Sequence, residues 1–256
     1  MIIYLVAAVC AVVLVLITSR LVRRLQHGVD DSTPDGPTTA HAGSMLSALY
    51  LLAFAIAIIV PWTTADSARA NTYTESQAIA EAYWAAEQLP ASDAYRTQDE
   101  LRAYTDLVRG PEWKLMRDKG RLRSDGWTRL DTLRREVMAL QPSGDEAQGA
   151  RAAVLGHLSE ISAARHQREM DARTTPPPGL IIVTLLAGAA VVLLPFMSGA
   201  RPHGAALIPL GLTAALLAAG SYLTLDITHV FDGALAVRPD AFTSLQTELQ
   251  RISGGR

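Results

Sequence analysis

Between Ser44 and Pro61 the chain runs through eighteen residues, SMLSALYLLAFAIAIIVP, without a charge. At about 1.5 Å rise per residue, a helix of that length spans roughly 27 Å, close to the hydrocarbon thickness of a bilayer. Met1–Thr18, Gly179–Ser198 and Ala205–Leu225 are equally free of Asp, Glu, Lys, Arg and His. No strand pattern of useful length appears anywhere. The sequence therefore predicts an all-α polytopic membrane protein with four transmembrane helices and a helical aqueous bundle inserted between spans two and three.

Charge is segregated in support of that division. Residues 62–178 hold 16 of the 23 Lys and Arg and 18 of the 25 Asp and Glu. The expected organisation is a first transmembrane pair with a loop (1–61), an aqueous helical insert (62–178), a second transmembrane pair (179–225) and a short amphipathic tail (226–256). The insert is long enough to bury its own core. Its mixed charge leaves no electrostatic footprint for nucleic acid. The single cysteine, Cys10, rules out an intrachain disulfide. The first apolar run begins without a basic n-region and is followed by Arg20, Arg23 and Arg24, so it reads as a retained span rather than a cleaved signal. Those arginines and Arg201 belong on the cytoplasmic side. With an even number of spans, both termini then share the extracytoplasmic side of a plasma membrane.

Within the insert, helix signals follow one another. Asp66–Leu89 carries Ile79, Ala82, Tyr83, Ala86 and Leu89 at three-four spacing, stopped by Pro90. Thr97-Gln-Asp-Glu100 reads as a capping box opening a second helix with Leu101, Tyr104, Leu107 and Val108. Gly110-Pro111 is expected to break that helix and restart it at Glu112, Trp113, Leu115 and Met116. Ser124 or Asp125 caps a third helix, and Pro142 closes it. Asp145 begins a fourth, with Val154, His157, Leu158, Ile161 and Ala164 in line. The connector Gln26–Gly43 reads as a loop, and Thr174–Pro178 as a stiff extended linker. Gly211, Ala215 and Ala219 offer a small-residue face to another helix. In the tail, Phe242, Leu245, Leu249 and Ile252 form one stripe.

The search for chemistry yields no catalytic, cofactor-binding or metal-ligating residue set. His157-x-x-Glu160 and His166-x-x-Glu169 have metal-like spacing, but at about 100° per residue the two histidines face opposite sides of a helix. No phosphate-cradling glycine loop or nucleophile elbow is present. Glu75, Glu81 and Glu87 read as a solvated face, or as the wall of a vestibule. Trp62, Trp84, Trp113 and Trp127 read as interface or core anchors. The absence of ionisable groups in the spans disfavours an ion-coupled pump and is compatible with an apolar channel constriction.

The order of local motifs resembles the bacterial bestrophin-like membrane proteins. In that family a glutamate-led helix ending in Leu-Pro follows the second span; here it is Glu75, Ile79, Ala82, Tyr83, Ala86, Leu89 and Pro90. A tyrosine helix and Glu-Trp-x-x-Met come next, here Tyr104, Val108, Glu112, Trp113 and Met116. A leucine–aspartate stretch, Pro-Phe-x-Gly and Val-x-Pro-x-x-Phe follow the fourth span. Here they read Leu225, Asp226, Val230, Phe231, Asp232, Gly233, Val237, Pro239 and Phe242. Val230 stands where the family has proline, and Gly110-Pro111 interrupts the helix before Glu112. The motif positions singled out are Glu75, Tyr104, Glu112, Trp113, Asp226, Phe231, Asp232 and Gly233.

The resemblance implies a homo-oligomeric, anion-selective passive channel whose second span lines the pore, with Asp226 and Asp232 bracing the turn after the fourth span. It also implies a cytoplasmic insert, opposite to the charge-based orientation. The expected partners are the lipid bilayer and further copies of the chain, with no cofactor. The alternative is a non-conducting membrane sensor or scaffold that presents its helical bundle to a protein partner. An enzyme is not expected.

Overall fold

The computed structural model describes residues 37–197, 207–233 and 235–254, with Gly204 and scattered positions between Val6 and Leu21. Cys10, Arg23, Arg24, Arg201, most of the predicted first span, the connector up to Gly36 and the turn 198–203 lie outside the described residues. Eight α-helices are labelled here in chain order. They are α1 (Pro37–Glu87), α2 (Ala91–Leu107), α3 (Trp113–Lys119), α4 (Ser124–Ala139), α5 (Asp145–Arg173), α6 (Pro178–Met197), α7 (Leu207–Asp226) and α8 (Asp240–Ser253). A π-helical turn, Val108–Glu112, joins α2 to α3. No strand occurs among the described residues.

The chain divides into two compact units: Met1–Trp62 with Pro176–Thr228, and Thr63–Thr175 with His229–Arg256. Three described helical segments are long and apolar enough to cross a membrane: Ser44–Glu87, Gly179–Phe196 and Leu207–Asp226. In the apolar unit, α1 turns Tyr50, Ala57 and Pro61 inward. Tyr50 and Phe54 stack with ring centroids 5.7 Å apart, and the Tyr50 hydroxyl bonds the Ser221 side chain. Each ring lies on a glycine. A Cβ at Gly188 would stand 3.1 Å from Tyr50, and one at Gly220 would stand 2.7 Å from Phe54. On the predicted Gly211, Ala215 and Ala219 face of α7, a Cβ at Gly211 would stand 4.0 Å from Val12, while the tightest approach falls at Gly220, one residue beyond that face. Farther along, Phe196 and Ala214 pack together with Val192 and Leu210.

The second unit is a helical lobe with one continuous core. Its apolar members include Ile79 and Tyr83 of α1, Leu101 and Tyr104 of α2, Leu133 of α4, Leu158 and Ile161 of α5, and Phe242 and Leu249 of α8. The tail stripe thus covers the lobe. Phe242, Leu245, Leu249 and Ile252 are all buried, each contributing about 1.5–3 kcal/mol of apolar burial. Arg102 holds the end of α8 by donating to Tyr83 Oη and Ser253 Oγ.

Several boundaries differ from those the sequence predicts. The second span and the first aqueous helix are one element: α1 passes through Pro61 without a break. Pro61 cannot donate to the Ala57 carbonyl and its ring crowds that carbonyl, yet its fixed φ is helical and the helix continues past it. Pro37–Gly43, expected as the end of a loop, already belongs to α1. The Thr97 capping box is not used. Helix α2 starts six residues earlier at Ala91, where the Pro90 carbonyl accepts the Asp93 and Ala94 amides. Thr97 is buried mid-helix, and Glu100 pairs instead with Arg129 at 2.6 Å. Gly110-Pro111 is absorbed by the π turn rather than ending the helix. Neither Ser124 nor Asp125 caps α4: both lie inside it, preceded by Arg123. Asp145 opens α5 as expected.

Candidate functional site: a buried arginine–glutamate lattice

Three helical segments bring four charges into the middle of the lobe. Glu75 comes from α1, Glu112 from the π turn, and Arg165 and Arg168 from α5; all four have no exposed side-chain surface. The sequence logic is one of periodicity. On α5, Ile161, Arg165 and Arg168 continue the stripe of Val154 and Leu158, so the arginines occupy core positions. On α1, Glu75 falls between Thr72 and Ile79 on the face that also buries Ala68 and Tyr83. A buried charge is tolerated only when it is paired and hydrogen-bonded. Here each finds the opposite sign.

Arg168 grips Glu75 with two parallel bonds, Nε to Oε2 at 2.7 Å and Nη2 to Oε1 at 3.0 Å. Arg165 grips Glu112 the same way, Nη1 to Oε1 at 2.7 Å and Nη2 to Oε2 at 2.6 Å. Such bidentate pairs match the guanidinium fork to the carboxylate. A third contact ties the pairs together: Arg168 Nη1 donates to Glu112 Oε1 at 3.0 Å and lies 3.0 Å from Met116 Sδ. Tyr104 completes the link. Its hydroxyl donates to Glu75 Oε1 at 2.6 Å and accepts from Arg165 Nη1 at 3.3 Å. Arg123 adds backbone, its amide donating to Glu112 Oε2 and its carbonyl accepting from Arg165 Nη2. Arg165 Nε alone among the lattice donors has no partner within the described residues.

Aromatic faces close the site. The Arg165 guanidinium carbon lies 5.1 Å from the Trp127 ring centre, and that of Arg168 lies 5.5 Å from Phe242. Trp113 meets Phe231 edge-on at 5.3 Å and Phe242 at 6.0 Å. Gly126 is the gap that admits Arg165: a Cβ there would stand 2.2 Å from Nη2.

The electrostatics keep Glu112 ionised and the Tyr104 phenol protonated. Burial opposes the Glu112 charge, but bonds from Arg165 and the charge of Arg168 outweigh it and hold the carboxyl below its usual range. Burial pushes the Tyr104 phenol up, and the Glu75 carboxylate adds to the shift. Burial also works against both arginine charges, and their glutamates more than compensate. Neither Glu112 nor Tyr104 therefore trades a proton near pH 7. The lattice sets two guanidiniums against two carboxylates and works as a strut joining α1, the π turn and α5.

Of the predicted motif positions, Glu75 and Tyr104 meet directly and Glu112 joins them through Arg165 and Arg168, with Trp113 and Phe231 packed in the same core. The reading of Glu75 as part of a solvated face or vestibule wall is corrected by its complete burial against Arg168. Asp232 and Gly233 are exposed in the loop before α8, where Gly233 adopts φ +92° and the Asp232 amide donates to the His229 carbonyl. Asp226 ends α7 in the other unit. Val230, in place of proline, is buried, and its carbonyl accepts the Val237 amide at 2.9 Å. The two histidine pairs part company: His157 bonds Glu160 at 3.0 Å, while His166 lies against Trp127. Arg165 and Arg168 escaped the sequence reading, although charges on an apolar stripe were the available signal.

An all-helical chain with three bilayer-length apolar helices among its described residues has the make-up of a membrane protein. Residues 5–242 match the Bestrophin-like domain, so the chain belongs to the bestrophin-like family. No curated protein and no solved structure matches it.

Proposed function

We propose that this protein is a passive, anion-selective ion channel, assembled as a homo-oligomer of four-span subunits in a bacterial plasma membrane. Family membership over residues 5–242 carries the reading. In that reading Met1–Thr18 is the first of the four spans, the membrane part of α1 lines the pore, and the chain performs no enzymatic reaction. The exposed side of α1 agrees with a pore wall: Leu52 and Ile59 project away from the buried Tyr50 and Ala57, and the stretch holds no charge. Apolar side chains of this kind can gate by dewetting.

Purified full-length protein in planar bilayers is the direct test. The expected result is unitary current that reverses near the chloride equilibrium potential, altered by Ile59→Ala. Silence across several ions and pH values would remove the channel reading. A second reading, a non-conducting sensor or scaffold, draws on the exposed Tyr73, Trp84 and Tyr95 of the lobe. Silent bilayers together with a specific cross-linked partner would favour it.

A further inference from the structure

Tyr104, Glu112 and Met116 all touch the lattice, so all three must lie on one face of the rod formed by α2 and α3. An uninterrupted α-helix advances about 100° per residue, which would put Glu112 about 80° and Met116 about 120° away from Tyr104. Removing one residue from the count brings both to within about 20° of Tyr104. The π turn performs that subtraction. The Trp113 amide reaches the Val108 carbonyl, five residues back, in place of the four-residue reach of an α-helix. The surplus is displaced into solvent: Gly110 and Pro111 are exposed, and a Cβ on Gly110 would meet nothing within 4 Å.

We propose that Gly110-Pro111 is a one-residue register insert that holds Glu112 between Arg165 and Arg168, with Pro111 as its lock. Two independent preferences select the same state. Locally, Pro111 has no amide for the Leu107 carbonyl, and its ring clashes with that carbonyl in an α-helix, so the regular register is disfavoured. At long range, regularising the helix without deleting a residue would swing Glu112 about 100° away and leave two buried guanidiniums sharing one carboxylate. The segment is thus held in the one register that engages the lattice.

The test is deletion against insertion in the full-length protein in detergent, on a Trp62→Phe background so that Trp84, Trp113 and Trp127 report the lobe alone. Deleting Pro111 removes the surplus residue and should yield a continuous helix with the lattice intact. Its fluorescence-detected midpoint is expected within about 4 °C of the parent. Inserting alanine between Gly110 and Pro111 adds a second surplus residue. It should lower the midpoint by at least about 6 °C, as far as Glu112→Gln does. A Pro111 deletion that falls as far as Glu112→Gln, or that fails to fold, overturns the proposal. So does an insertion variant that unfolds with the parent.

Discussion

Taking the guanidinium from Arg168 leaves Glu75 and Glu112 buried with one cation between them. The uncompensated charge, more than the lost contacts, dominates the cost. Arg168→Met should lower lobe stability by about 3–5 kcal/mol in denaturant unfolding. Adding Glu75→Leu removes the stranded charge, so the double variant should recover most of that loss, and Arg165 with Glu112 remains as a neutral pair. Additive losses would mean that the two side chains do not act as a unit. The same lattice sets a pH window. The folded-state pKa of Glu112 lies below its ordinary 4.5, so its contribution is complete above that value and is lost as pH falls through the folded pKa. That of Tyr104 lies above 10.0, so its contribution is complete below that value and is lost as pH rises through the folded pKa. The midpoint should be flat from about pH 5 to pH 9 and fall on both sides. With Glu112→Gln the acid limb should become shallower.

At the scale of elements, glycine position matters more than glycine number. Gly220→Val places its Cβ 2.7 Å from the Phe54 ring, which Tyr50 holds from the other side. It should destabilise the apolar unit by about 1–3 kcal/mol in detergent. Gly149→Ala meets nothing within 4 Å on exposed α5 and should stabilise by up to about 1 kcal/mol. Equal effects from the two would show that Phe54 does not sit on Gly220. Most elements were legible because their signals are local. Asp145 opens α5, and the stripe from Val154 to Ala164 is buried with one partial exception at His157. The stripe from Phe242 to Ile252 likewise announced a helix with one apolar face. What escaped was governed by distant partners. Thr97-x-x-Glu100 has the composition of a cap, but Pro90 had already opened the helix. Pro61 and Pro111 look like breaks, yet one is accommodated within a continuous helix and the other within a π turn. Glu75, Arg165 and Arg168 look like solvent positions because charge normally marks solvent, and only their phase on apolar stripes places them inside.

For the whole molecule, two lines of reasoning place the lobe on opposite sides of the membrane. The arginines next to short connections, Arg20, Arg23, Arg24 and Arg201, favour a cytoplasmic location for those connections and put the lobe outside. Arg165, Arg168 and Arg173 stand near the third apolar segment on the lobe side and pull the other way. The four arginines at the short connections outnumber these three, and only later does folding pair Arg168 with Glu75 and Arg165 with Glu112. The remaining asymmetry favours an outward lobe, against the cytoplasmic insert that the bestrophin resemblance implies. Ser92 is exposed at the start of α2 and makes a suitable reporter. In a Cys10→Ser background, Ser92→Cys should react with a membrane-impermeant maleimide on intact cells, as readily as after permeabilisation. Labelling only after permeabilisation would place the lobe in the cytoplasm. The termini would then be cytoplasmic too if the span number is even, and the connection that follows Arg20 would lie outside despite its charge. The buried lattice, two guanidiniums against two carboxylates, is compatible with either side. The choice rests on how the arginines are read during insertion, before Glu75 and Glu112 have met their partners.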